Sequence, residues 1–133
     1  MSTNYINREN DEEIIDWEKL VERGFDEQLI EKVLPIFIAD NAKQIEELRG
    51  AVEKANIKDV RLYAHGIKGS AANVGAVKLS KIAAILEQTA LENDLSLAEE
   101  LLKKLSAESD KLLAFVSKQG WIETEKDLSA GTV

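Results

Sequence analysis

The chain has no cysteine, one histidine and one proline, and aromatic residues make up only 5% of its 133 positions. Without cysteine there is no disulfide, no thiolate metal site and no cysteine nucleophile. A single histidine argues against a zinc hydrolase, which needs several nitrogen, sulfur or oxygen ligands. Few aromatic residues and few β-branched runs argue against a sheet.

Three further absences limit where the protein works and what it binds. No glycine-rich phosphate loop follows a predicted strand, so nothing supports ATP use. No apolar stretch is long enough to cross a bilayer, and the N-terminal MSTNYINRENDEE is too acidic for a secretory signal or transit peptide, so we expect a cytoplasmic protein. The net charge of -8 argues against nucleic acid and membrane as partners.

The remaining composition is that of an ordinary soluble domain. Apolar residues make up 44% of the chain and charged residues 32%, which is enough to build one core. We predict a flexible acidic N-terminal tail over residues 1–12, a helical bundle over 13–122 and a flexible C-terminal tail over 123–133.

Helical spacing of apolar residues predicts a short helix followed by four long ones. Their approximate ranges are Glu13–Arg23, residues 26–55 with Asp26 as N-cap, Asp59–Val74, Val77–Glu92 and Leu97–Lys118. Gly24, Gly75 and Gly120 are predicted to end helices, Pro35 to kink or break the second, and Ser96 is a possible cap for the last. The fold class is therefore all-α, an antiparallel up-down four-helix bundle with a short additional N-terminal helix as a lid.

Each long helix has a predicted buried stripe. The second helix presents Leu29, Val33, Phe37, Ile45, Leu48 and Val52; the third Val60, Ala64, Ile67, Ala71 and Val74; the fourth Leu79, Ile82, Leu86 and Ala90; the last Leu101, Leu105, Leu112 and Phe115.

The histidine, His65, lies in the run Leu62–Ala76, LYAHGIKGSAANVGA. It follows the core position Ala64, so it is rotated by about 100° to an exposed edge of the third helix. Gly66 and Gly69 each weaken a helix by roughly 0.5–1 kcal/mol relative to alanine. A chain tolerates this loss of helix stability where another group must come close to the backbone. Here that group is either a partner protein or a tightly crossing helix.

Two residues lie over the ring because helical side chains lean towards the N-terminus. Gly69, at i+4, is predicted to leave the approach to His65 open. Lys68, at i+3, would place a cation near an oxyanion held beside the ring. The surroundings are also basic, in contrast to the whole chain, with Lys58, Arg61, Lys68, Lys78 and Lys81.

The distances of residues from Gly75 along the third and fourth helices indicate a partner for the His65 ring. His65 lies ten residues before Gly75, or about 15 Å, and Glu87 lies twelve after it, or about 18 Å. In antiparallel helices the two are at nearly the same height. A carboxylate there would accept a hydrogen bond from one ring nitrogen and leave the other as nucleophile. Gln88 is the alternative if the register differs by one residue.

The run HGIKGSAANVGA resembles the histidine-containing phosphotransfer (HPt) domain family. In that family's pattern the histidine is followed by lysine at +3, glycine at +4, small residues, and glycine at +10. Lys68, Gly69, Ser70, Ala71 and Gly75 occupy these positions, and the resemblance covers roughly residues 14–121.

The resemblance implies a phosphoryl carrier without ATPase or kinase activity of its own. It implies that His65 accepts a phosphoryl group from a receiver-domain aspartate and passes it to another, with Lys68 aiding charge neutralisation, Gly69 giving access and Glu87 at a position often held by glutamine or glutamate. The expected partners are receiver domains of a hybrid histidine kinase and of a response regulator. We expect no cofactor on this chain, Mg²⁺ on the receiver, and a monomer. The alternative is a helical adaptor that binds a signalling partner without phosphotransfer.

Overall fold

A computed structural model describes residues 14–122 of the protein. This part contains five helices, α1 (Trp17–Glu22), α2 (Glu27–Glu53), α3 (Ile57–Asn73), α4 (Val77–Leu91) and α5 (Ala98–Gln119). The predicted tails, 1–12 and 123–133, and residue 13 lie outside the described residues, so the predicted domain boundaries stay predictions.

The four long helices close a bundle. α2 packs against α3 and α5, and α4 packs against the same two helices, so each long helix has two neighbours. The most extensive packing joins α3 and α4, which are connected by only three residues, 74–76. The predicted four-helix bundle with a short extra N-terminal helix is thus confirmed.

The core is built mainly from the predicted stripes. On α3, Val60, Ala64, Ile67 and Ala71 are fully buried, and the predicted leucines and phenylalanine of α5 are buried as well. One position of the α2 stripe was wrong: Leu29 is 41% exposed, while Ile30 and Leu34 are buried instead. The first turns of α2 carry apolar residues on two adjacent faces, so helical spacing alone fits both.

A second core prediction was wrong on α4. Ile82 is only partly buried and packs at the edge of the core, whereas the neighbouring Ala83 is fully buried. The smaller side chain occupies the inner position because α3 and α4 pack closely, and the larger one is left at the margin.

The predicted helix starts were partly right. Asp26 caps α2 by accepting the backbone N–H of Leu29 at 2.8 Å. α3 begins earlier than predicted, because Asn56 is its N-cap and accepts the N–H of Asp59 at 3.1 Å. Asp59 therefore lies in the first turn, where the positive end of the helix dipole stabilises a carboxylate.

Three other local predictions need correction. α1 begins at Trp17, because Asp16 caps it and accepts the N–H of Lys19 at 3.0 Å. Ser96 is not a cap: its N–H donates to Asp94 Oδ1, and α5 starts after Leu97 without a side-chain cap. α2 is not broken at Pro35, which lies inside the helix, and the predicted kink there stays a prediction.

α1 is fastened to the turn between α3 and α4. The N–H of Asp16 donates to the carbonyl of Gly75 at 2.8 Å, and the Arg23 guanidinium donates to the carbonyls of Ala72 and Asn73 at 2.9 and 3.2 Å. The Arg23 bonds reach carbonyls in the last turn of α3, where the regular i to i+4 partners are missing. α1 therefore fixes the turn that sets α4 against α3.

Within residues 14–122, no helix combines the length and apolar character needed to cross a membrane.

The close approach of α1 makes Gly75 sensitive to substitution. Its φ is +72°, and a Cβ there would lie 3.1 Å from the carbonyl oxygen of Asp16. We expect Gly75→Ala to lower the free energy of unfolding by about 2–3 kcal/mol, through backbone strain and displacement of α1. Gly24→Ala is the matched control, with φ +89° and no atom near the added Cβ, and should lose only about 1 kcal/mol. Urea unfolding measures both; equal losses would contradict the contact with Asp16.

Candidate functional site

His65 lies on the exposed edge of α3. Its side chain is 66% exposed, while the preceding residue, Ala64, is fully buried. Burial of the stripe through Ala64 therefore turns the ring outward, as the helical phase predicted.

Glu87, on α4, contacts the ring. The distance from His65 Nδ1 to Glu87 Oε2 is 2.8 Å. Gln88, the alternative from sequence, instead donates at 2.9 Å to Oε2 of Glu92, the C-cap residue of its own helix. The register of α4 thus brings the carboxylate to the histidine and leaves the amide on the helix surface.

The second oxygen of the same carboxylate is also occupied. Lys68 Nζ lies 2.7 Å from Glu87 Oε1, one turn along α3 from His65. We call the three residues His65, Glu87 and Lys68 the carboxylate bridge. Sequence analysis placed Lys68 beside a future oxyanion but missed this ion pair. The missed signal is geometric, since a carboxylate that reaches position 65 from a neighbouring helix is also close to position 68.

The carboxylate bridge selects the tautomer of the neutral ring. The Lys68 ammonium, opposed by partial burial and assisted by the His65 hydrogen bond, holds the pKa of Glu87 below its ordinary value. Glu87 is therefore ionised at neutral pH and can only accept hydrogen bonds. Nδ1 of His65 therefore carries a hydrogen in this contact, and in the neutral ring Nε2 has the lone pair.

Gly69 faces open space. A Cβ built there would meet no atom within 4 Å, the His65 ring included. The methyl group of an alanine at position 69 would therefore not crowd the His65 ring. The expectation of crowding applies only to side chains longer than alanine. At Gly66 a Cβ would meet only Gln44 Nε2, at 3.4 Å. Neither glycine lies at a close backbone crossing, so the alternative of a tight helix crossing finds no support.

A serine that sequence analysis did not single out ties the two helices together beside the site. Ser80 Oγ donates to the carbonyl oxygen of Lys68 at 2.9 Å. This bond links the first turn of α4 to the turn of α3 that carries Lys68, and so supports the spacing on which the carboxylate bridge depends.

Two depressions flank the carboxylate bridge. One is lined by Lys58, Arg61, Leu62, His65 and Glu87, and its Leu62 is 61% exposed. The other lies towards α1 and the α3–α4 turn, and its cations are Lys19, Lys68 and Lys81. Basic side chains thus surround the ring on both sides. Among residues 14–122, no group of three or more histidine, cysteine, aspartate or glutamate side chains is arranged to hold a metal ion.

Comparison with known proteins agrees with this geometry. The sequence profile of the Hpt domain matches residues 32–115, which include His65, Lys68, Gly69 and Glu87. The chain belongs to the Hpt domain family. A search of curated proteins found no match.

The Hpt fold is also found by structural comparison. The chain is similar to the crystal structure of histidine-containing phosphotransfer protein B (HptB) from Pseudomonas aeruginosa PAO1, with a TM-score of 0.66 and 22% sequence identity. The match covers 82% of this chain and 90% of that one, and at this identity it supports the fold alone.

Membership places the chain in phosphorelay signalling. Hpt domains interact with receiver domains and are phosphoryl carriers, not kinases. The site residues of this Hpt domain are compatible with that role, since an exposed ring with a defined tautomer lies beside an ammonium group.

If Gly69 is not needed for folding, alanine should stabilise the helix there. We expect Gly69→Ala to raise the free energy of unfolding by about 0.5–1 kcal/mol, because a helical glycine is replaced without a clash. Gly50→Ala, in α2 and likewise without an atom near the added Cβ, is the matched control and should give a similar gain. Denaturant unfolding measures both. A loss of stability at 69 alone would show that the glycine is structural.

Proposed function

We propose that His65 accepts a phosphoryl group from the aspartyl-phosphate of one receiver domain and passes it to the aspartate of another. The observation that supports this most strongly is the hydrogen bond between Nδ1 and Glu87, which leaves Nε2 as the nitrogen with a free lone pair on an exposed ring. The proposed partners are receiver domains of a hybrid histidine kinase and of a response regulator, and the proposed location is the cytoplasm.

The chemistry requires little of this chain. A neutral imidazole is a competent nucleophile near neutral pH, and transfer needs it in line with the leaving carboxylate. Mg²⁺ on the receiver is expected to compensate most of the charge on the phosphoryl oxygens. Lys68 pairs with the ring's carboxylate partner, and because an ammonium has three donors it can also donate to a phosphoryl oxygen when His65 is loaded.

The surface around the ring suits a receiver. Exposed Leu62 offers apolar contact, and Lys58 and Arg61 lie beside it in the same depression. On a chain of net charge -8, this local excess of cations favours an acidic partner surface and orients its approach. We propose that the receiver docks over both depressions, against a monomer of this chain.

Replacing the nucleophile tests the proposal directly. We expect His65→Gln to accept no label from a phosphorylated receiver, because the amide nitrogen is not nucleophilic, while binding to the receiver stays within a few-fold of wild type. Incubation with radiolabelled receiver, followed by separation of the two proteins, measures the transfer. Label on the variant would refute the assignment of His65. Binding without transfer, even in the wild type, would favour the adaptor.

A series at position 69 tests access to the ring. We expect Gly69→Ala to transfer at close to the wild-type rate, and Gly69→Leu to be slower by roughly tenfold or more, because only the longer side chain reaches the approach to His65. Rapid-quench transfer kinetics measure the rates, and circular dichroism checks that both variants are folded. Equal rates for alanine and leucine would contradict the access role.

A further inference from the structure

We propose that Glu87 keeps the proton on Nδ1 of His65 throughout the relay, so that the ring is loaded and discharged without gaining or losing a proton. This inference rests on the proposed function of His65 and assigns Glu87 a role beyond orienting the free ring. It makes Glu87 a positioning residue for a proton as well as for a side chain.

Both oxygens of the Glu87 carboxylate have partners. Oε2 lies 2.8 Å from Nδ1, and Oε1 is held by Lys68 Nζ at 2.7 Å, so both oxygens are engaged. Ser80 fixes the backbone of Lys68 from α4, the helix that also carries Glu87. The carboxylate is therefore held at the ring from two directions, and it remains an acceptor before and after loading.

The bonds balance as follows during loading. The Nε2 lone pair forms the N–P bond, and the electron pair of the breaking O–P bond stays on the aspartate carboxylate of the receiver. The ring then carries a positive charge, with a hydrogen still on Nδ1. Release of that hydrogen would leave a lone pair facing an ionised carboxylate, which is repulsive, so the contact with Glu87 favours retention of the proton.

Discharge runs the same way in reverse. A carboxylate oxygen of the second receiver forms the new O–P bond, and the electron pair of the N–P bond returns to Nε2. Because Nδ1 is protonated, the departing group is a neutral imidazole. Without that proton it would be an imidazolate anion, a much poorer leaving group. A carboxylate at Glu87 therefore keeps the loaded histidine ready to donate.

The other charged groups around the ring act against this proton. Lys68, Arg61 and Lys58 lie on the same helix, α3, and Lys19 of α1 and Lys81 of α4 line the neighbouring depression. All are cations and disfavour a positive ring. The carboxylate in contact with Nδ1 is the group that offsets them, so the effect should depend on the charge of Glu87 and not merely on its shape.

Glu87→Gln removes the charge while keeping a similar shape. An amide can accept from a protonated Nδ1 or donate to an unprotonated one, so it does not hold the proton. The experiment loads His65 chemically with phosphoramidate, which needs no receiver, in protein labelled with ¹⁵N-histidine. NMR then reports the protonation of Nδ1, and ³¹P NMR follows loss of the phosphoryl group to water, from about pH 6 to about pH 9.

We expect wild-type Nδ1 to stay protonated over a higher pH range than in Glu87→Gln. The ratio of wild-type to variant discharge rates should be near one at about pH 6 and rise to a plateau of roughly tenfold by about pH 9, because a loaded wild-type ring that keeps its proton about one pH unit further retains about ten times more of the reactive protonated form. Glu92→Gln, which removes a charge from the C-cap of α4, where the carboxylate contacts Gln88, should match the wild type.

Three results would overturn the inference. The first is that Nδ1 of the loaded ring loses its proton over the same pH range in the wild type and in Glu87→Gln. The second is a ratio of discharge rates that does not change with pH. The third is failure of phosphoramidate to load His65, which would mean that Nε2 has no free lone pair. Failure of the proposed function is a separate result, because it appears as absent transfer between the protein and receivers while the chemically loaded protein still gives these signals.

Discussion

The Glu87 carboxylate, shared between His65 and Lys68, is the interaction on which the proposed site depends. It lies between two helices, so it exists only if α3 and α4 are held at matching heights. The bond from Ser80 to the Lys68 carbonyl links the same two helices, and the three-residue turn through Gly75 sets where α4 begins. α1, fastened to that turn, completes the support. Features far from the chemistry therefore determine the distance of 2.8 Å at the ring.

The charge around His65 is opposite in sign to the net charge of the whole chain. The chain as a whole is strongly acidic, with a net charge of -8, yet the edge of α3 and α4 around His65 is lined by lysine and arginine side chains. In the resting state Lys68 is neutralised by Glu87. A phosphoryl group arriving at the ring would therefore share this ammonium with a carboxylate, so Lys68 would neutralise it only in part, which suits a carrier that must release its load.

Much of this arrangement was predictable from sequence because it follows from helix geometry. The position of Gly75 and a rise of 1.5 Å per residue were sufficient to bring Glu87 to the height of His65. The phase of Ala64 predicted an exposed ring. By contrast, the choice of Ile30 over Leu29 depends on which of two apolar faces meets the rest of the bundle, and helical spacing does not distinguish them.

Apart from the contact between His65 and Glu87, the polar contacts between helices were not predicted. The pairing of Lys68 with Glu87 and the bond from Ser80 depend on side-chain reach across a helix interface. The same holds for Asn41, which is fully buried and donates to Ser109 Oγ at 3.0 Å, because apolar periodicity carries no information on a buried amide.

The central claim is that Glu87 fixes the tautomer of the free ring with the hydrogen on Nδ1. Because the chain has one histidine, ¹⁵N-histidine NMR of the unphosphorylated protein gives signals from a single ring. At about pH 8, where an unperturbed imidazole is neutral, the account predicts a protonated Nδ1 and an unprotonated Nε2. A hydrogen on Nε2 with a free Nδ1 would contradict it, because the nitrogen facing the carboxylate would then have nothing to donate.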